Sequence, residues 1–163
     1  MKTLVVYYTR SGNTTKVAEE IAAALGADIE LLKDGVNRGG PIGFVKSGRE
    51  AKFGTMVNLE PLEHDLSTYD LVVVGTPVWA RMVSSPVNTF LREVNLGGAK
   101  LAWFCTVGAS SDAFKENCFA TMAEAAGRTP IATAGFSAKE LKNDHARAVA
   151  DFADTLKAAV ARG

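Results

Sequence analysis

The chain has 163 residues, with 18 Lys and Arg balancing 18 Asp and Glu, a formal net charge of +0, 47% apolar and 22% charged residues. That composition fits one soluble globular domain, 1–163, with a core of its own. It speaks against a nucleic-acid binder, which would usually be basic, and no apolar run approaches the ~20 residues of a membrane-spanning helix.

The first apolar run, Leu4 to Tyr8, reads as a strand. The loop Thr9-Arg10-Ser11-Gly12-Asn13-Thr14-Thr15 follows, and then a helical pattern with Val17, Ile21 and Leu25 on one face. Strand, hydroxyl-rich loop and helix together make an anion site. The first N–H groups of a helix lack internal partners, and the dipole adds positive charge there. Gly12 lets the backbone approach a ligand, and each charge-assisted hydrogen bond contributes roughly 1.5–3 kcal/mol. The alternative is a plain N-cap by Asn13 or Thr14, but four hydroxyls, an Asn and a Gly within seven positions exceed what capping needs. The loop is neither a Walker A motif nor G-x-G-x-x-G.

Gly26 is placed to stop the first helix, and Ala27–Leu32 reads as a strand near an edge. The segment Lys33–Met56 is irregular, rich in glycine and basic residues; Pro41 suits the start of a short helix with Phe44, Val45 and Phe53 as its apolar contacts. It reads as a flap or subunit contact, or equally as a solvated excursion. Tyr69–Gly75 is a buried strand whose continuous apolar run suits the centre of a parallel sheet. Thr76–Met82 is its exit loop. Val83, Val87, Phe90, Leu91 and Val94 mark a helix with Pro86 in the first turn, where a missing N–H costs nothing. Lys100–Thr106 is the fourth strand, Val107–Ser111 its loop, and Asp112–Ala126 a helix stopped by Gly127. Thr129–Phe136 is a weaker fifth strand. One last helix is expected over Ala138–Ala161, with Leu141, His145, Val149, Phe152, Leu156 and Val160 as its buried stripe.

Five alternations of strand and helix predict an α/β domain: three layers, doubly wound, around a five-stranded parallel sheet. Ligands of such sheets sit beyond the carboxyl ends of the strands, where the strand order reverses. The loops after strands one, three and four are therefore the informative ones. The first suits a phosphate. The second offers Trp79 beside Pro77 and Val78, and the third is small and polar, with Gly108, Ser110 and Ser111. A phosphate site next to an aromatic plate suits a ligand with a phosphate tail and a flat ring. Trp103, inside a strand, reads as packing.

These stretches resemble the flavodoxin family of FMN-binding proteins. The resemblance is carried by Tyr8–Thr14 as the phosphate loop, Gly75–Trp79 with Ser85–Leu91, and Phe104–Gly108. It covers nearly the whole chain, and the phosphate loop is its specific part. It implies strand order 2-1-3-4-5 and FMN as cofactor. Thr9, Ser11, Asn13 and Thr14 would bind phosphate, with Arg10 and Gly12 giving backbone N–H groups. Trp79 would face the ring, with Pro77, Val78, Ala80 and Arg81 along its edge, and Val107, Gly108 and Ala109 would line the pyrimidine side. The implied function is electron transfer or NAD(P)H-linked reduction of quinone-like acceptors, with a redox partner protein or a small-molecule acceptor. A homodimer is an open possibility.

The chain departs from the acidic electron carriers of that family in being neutral. Arg10 and Arg81 near the ring would favour negative charge on a reduced flavin. The segment Thr76–Ala80 has no Gly, and non-Gly residues resist φ > 0. Both features predict two-electron over stable one-electron behaviour. A phosphorylated receiver domain is disfavoured, because Asp70 lies at the wrong end of its strand. A cysteine phosphatase is disfavoured because Cys105 and Cys118 fall within a strand and a helix. Two cysteines with no C-x-x-C or zinc spacing make no disulfide framework or metal site, and the N-terminus does not read as a signal peptide. The expected compartment is a reducing cytoplasm. The competing class is a flavodoxin-like scaffold that binds a ligand or partner without turnover.

Overall fold

The computed structural model describes residues 1–108, 111–143 and 145–162. In chain order its elements are β1 (Thr3–Tyr7), α1 (Asn13–Leu25), β2 (Asp28–Leu31), α2 (Gly40–Lys52), β3 (Leu71–Trp79), β4 (Met82–Val83), α3 (Ser85–Glu93), β5 (Lys100–Val107), α4 (Asp112–Ala126), β6 (Thr133–Ser137), α5 (Ala138–Lys142) and α6 (Ala146–Ala161). Five parallel strands stand in the order β2-β1-β3-β5-β6, which is the expected flavodoxin-like order once β4 is set aside.

The alternation of side chains along each strand feeds two cores. Leu4, Val6, Val72, Val74, Leu101 and Trp103 face one side, where Phe90 and Leu91 of α3 and Met122 of α4 cover them. Val5, Tyr7, Leu71, Val73, Ala102 and Phe104 face the other, under Val17 and Ile21 of α1 and Phe152 and Leu156 of α6. Burial on both faces is why β1, β3 and β5 are apolar without alternation. Trp103 is fully buried, as its place in a strand implied. Gly75 lies under the Phe104 ring of the neighbouring strand, and a Cβ there would meet the ring at 1.9 Å, so no larger residue fits.

Three expectations are corrected. β3 runs on through Trp79 and turns back into β4, with Trp79 paired to Met82 and Val78 to Val83. Much of the expected exit loop is therefore a hairpin, and the sheet has a sixth, short strand. The long last helix is two: Ser137 and Glu140 form a reciprocal capping box at the start of α5, and Asn143 leaves helical dihedrals at its end. His145 then opens α6, buried, with Nε2 2.9 Å from Glu20 Oε1. The helix begun by Pro41 exists, but Phe44, Val45 and Phe53 are not its packing face; they are 64%, 68% and 70% exposed. Gly43, Ser47 and Ala51 are buried instead. A Cβ on Gly43 would stand 2.2 Å from the Arg38 carbonyl, so α2 lies too close to the chain before it for any larger residue at that position.

Candidate functional site

The carboxyl ends of β1, β3 and β5 meet at one cleft of about 150 Å³. Its first wall is the β1–α1 loop. Gly12 takes φ 93°, in the left-handed region that a residue without a Cβ enters freely. It is also the N-cap of α1 and gives no side-chain cap, so the N–H groups of the first turn are not consumed by capping. Thr9 holds the turn by accepting from the Gly12 N–H at 3.0 Å. Arg10, Ser11, Asn13 and Thr14 line the cleft.

Thr14 is buried, and its hydroxyl lies 2.8 Å from that of Thr106 near the end of β5. One hydroxyl donates to the other, and the acceptor's own proton is left for a further partner.

The second wall is the end of β3. Pro77, Val78 and Trp79 line the cleft, and Trp79 is buried at 6% exposure. Its ring meets the Tyr8 ring edge-on at 5.5 Å and 87°. The Arg38 guanidinium sits 5.5 Å from the Trp79 centroid and 5.6 Å from that of Tyr8. Trp79 is thus both a wall of the cleft and a member of the core.

Beyond it, Ala80 and Arg81 take φ 48° and 68°. Positive φ at both central residues of a two-residue hairpin is the type I′ turn, whose twist matches that of paired strands. The expectation that this glycine-free segment would avoid φ > 0 is therefore corrected. A left-handed non-Gly residue costs roughly 1–2 kcal/mol. The β3–β4 pairing and a bond from Asn117 Nδ2 to the Arg81 carbonyl at 2.7 Å offset it. The Arg81 guanidinium is drawn to the Phe114 ring, 4.7 Å away, and is not among the residues lining the cleft. Arg10, stacked at 5.3 Å on Phe44, is the only charged residue of that lining among the described residues.

Val107 and Gly108 complete the third side, while Ala109 and Ser110 lie outside the described residues. Three lining residues were missed from the sequence: Phe44, Thr106 and Leu141. Thr106 had a readable signal, since it sits in the last residues of the fourth strand, beside the chosen loop. Phe44 and Leu141 reach the cleft only through tertiary packing.

Cys105 and Cys118 are both buried, and contact with Cys105 together with burial holds the Cys118 thiol well above its usual range. Among the described residues no group of His, Cys, Asp and Glu is placed to hold a metal ion, and no helix is long and apolar enough to cross a membrane.

Known proteins share this fold. A Lactobacillus acidophilus NCFM flavoprotein solved in complex with FMN is 25% identical, with a TM-score of 0.72, over 86% of this chain and 96% of that one. A structure from Bacteroides uniformis ATCC 8492 reaches a TM-score of 0.74 at 18% identity, over 94% and 97%. The oxidised flavodoxin 2 of Bacillus cereus reaches 0.64 at 16% identity, over 97% and 99%. No curated protein sequence matches. The family model described as NADPH-dependent FMN reductase matches residues 1–150. By that match over most of its length, the chain belongs to the NADPH-dependent FMN reductase family and is a flavodoxin-like, FMN-binding flavoprotein.

Proposed function

We propose that the chain is an FMN oxidoreductase that accepts two electrons from NAD(P)H and delivers them to a quinone-like acceptor. In the balance, NAD(P)H, one further proton and the quinone give NAD(P)⁺ and the quinol. The observation that carries the reading is the uncapped N-terminus of α1, facing a cleft whose opposite wall is Trp79.

The residues present fit the cofactor. Ser11, Asn13 and Thr14, with the backbone N–H groups that follow Gly12, would hold the phosphate. Pro77, Val78 and Trp79 would border the ring, and Val107 and Gly108 its pyrimidine side. FMN supplies the hydride-accepting and hydride-donating chemistry when bound. The protein's part is to fix the ring, screen it from water and set its charge environment through Arg10. The cleft's 150 Å³ is below the roughly 300–1,000 Å³ of ordinary ligand pockets. To admit the cofactor the Arg10–Phe44 stack would have to shift, and Phe44 is 64% exposed.

The test is direct. The purified protein should be yellow, bind one FMN per chain and bind riboflavin much more weakly. It should oxidise NADPH faster when a benzoquinone is present. Equal affinity for FMN and riboflavin would remove the phosphate-loop reading. FMN binding without NAD(P)H oxidation would leave a one-electron carrier, a reading favoured by the two left-handed residues already present beside the cleft. A protein that takes up no flavin would be a ligand- or partner-binding scaffold.

A further inference from the structure

Arg38 lies in the irregular segment before α2 and has no part in the phosphate loop. It is nevertheless among the most buried charges in the molecule, with its side chain 1% exposed. Such a group is retained only if its donors are met. Its NH2 lies 2.6 Å from Asp34 Oδ2 and donates to Glu50 Oε2 at 3.0 Å, Nε donates to the same oxygen at 3.2 Å, and NH1 donates to the Tyr8 hydroxyl at 3.2 Å. Burial alone would lower the guanidinium's pKa, but its bonds to Asp34 and Glu50 and the neighbouring Tyr8 hold it above the usual value. It is therefore charged throughout the accessible range.

The same guanidinium packs against both rings of the cleft's aromatic corner, 5.5 Å from Trp79 and 5.6 Å from Tyr8. It also ties down α2 through Glu50, where Gly43 allows the helix to approach the Arg38 backbone. That helix carries Phe44 to the mouth of the cleft. One planar fork therefore touches the Trp79 wall and fastens the element that bears Phe44. A point charge cannot do this, because the fork's fixed donor directions define where Tyr8, Asp34 and Glu50 must stand.

Resting on the FMN reading above, we infer that Arg38 is the positioning residue of the ring half of the site: it sets the orientation of Trp79 and Tyr8 and, through Glu50 on α2, the distance of Phe44 from them. The phosphate half does not depend on it.

The experiment measures FMN and riboflavin affinity, the near-ultraviolet circular dichroism of Trp79 and the thermal midpoint. It compares wild type with Arg38→Lys, Tyr8→Phe, Glu50→Gln and the charge-free triple Arg38→Met/Asp34→Asn/Glu50→Gln. The triple keeps an apolar filling where a single loss would strand two buried carboxylates. A Trp79→Phe control identifies the Trp79 band against Trp103. Arg38→Lys and the triple should weaken FMN and riboflavin alike, each by about tenfold, which is ~1.4 kcal/mol. The FMN-to-riboflavin ratio should stay unchanged while the Trp79 band collapses. Tyr8→Phe and Glu50→Gln should show the same pattern, about two- to threefold. The inference is overturned if any folded variant at Arg38 keeps wild-type riboflavin affinity and an unaltered Trp79 band, or if the FMN-to-riboflavin ratio falls with the affinity. Should the Arg38 variants fail to fold, an unaltered band and affinity in Glu50→Gln and Tyr8→Phe overturn it equally. If wild type binds no flavin, the functional reading fails, while the Trp79 band of Arg38→Lys still decides the positioning role.

Discussion

Two of the walls of the cleft are built by different means. The wall proposed for the phosphate is local: Thr9, Ser11, Gly12, Asn13 and Thr14 lie within six consecutive positions, and a helix terminus supplies the rest. The wall proposed for the ring is assembled from Tyr8 after β1, Arg38 and Glu50 around α2, and Trp79 at the end of β3. An anion is met by backbone N–H groups, which any short loop of the right shape can present. A flat ring needs a plate held at a fixed angle, and only packing from several directions fixes an angle. The first wall should therefore fail through its donors while the fold survives, and the second should fail together with the fold.

The largest expected effect is on the second wall. Trp79→Ala should cost ~3–5 kcal/mol of unfolding free energy in a urea titration, because it empties a core position as well as the cleft wall. Trp79→Phe should restore most of that. A loss under about 1 kcal/mol for the alanine variant would mean that the ring is not anchored in the core, and the contrast between the walls would collapse.

On the first wall, Ser11→Ala combined with Thr14→Ala should weaken FMN by at least ~2 kcal/mol, since each change removes a charge-assisted donor. Riboflavin, titrated in parallel, should change little. A parallel loss of both flavins would place these hydroxyls against the ring and not the phosphate.

Gly12→Ala probes the backbone under those donors. No atom lies within 4 Å of a Cβ placed there, so the cost is conformational alone, roughly 1–2 kcal/mol from the φ of 93°. It should appear in FMN affinity, in stability or divided between them. An unchanged protein would show that the turn has another accessible shape.

The smallest effect sits at the hairpin. Ala80→Gly should raise stability by roughly 0.5–1 kcal/mol, because it relieves a left-handed residue at φ 48°. Anaerobic photoreduction of the same variant should show a larger fraction of the one-electron-reduced state than wild type. If wild type already accumulates that state fully, the glycine-free hairpin does not restrict the electron number.

Much of the fold could be read directly. Runs such as Leu71–Val74 do form strands buried on both faces, and Gly26 and Gly127 do end helices, each with φ 61°. The readings that failed were those of surface and turn. Val78 and Trp79 were read as loop, yet they pair with Val83 and Met82, because a hairpin needs a partner strand that local propensity cannot supply. Arg81 was expected at the ring edge, but Phe114, 33 positions away in the chain, draws it elsewhere. The apolar residues of α2 were taken for its packing face, and the close approach of Arg38 to Gly43 turned that face outward.

The sequence by itself determined the layered α/β class and pointed to an anion loop after the first strand, while the strand order was implied by the family resemblance. The first two follow from periodicity and from the chemistry of a helix terminus, both of which act over neighbouring residues. Tertiary structure alone decided that Thr106 meets Thr14, that Phe44 and Leu141 reach the cleft, and that Arg38 packs against Trp79. Those contacts join residues that no local rule relates. The side chain that fills a given space is chosen by shape and charge once the sheet has brought distant segments together.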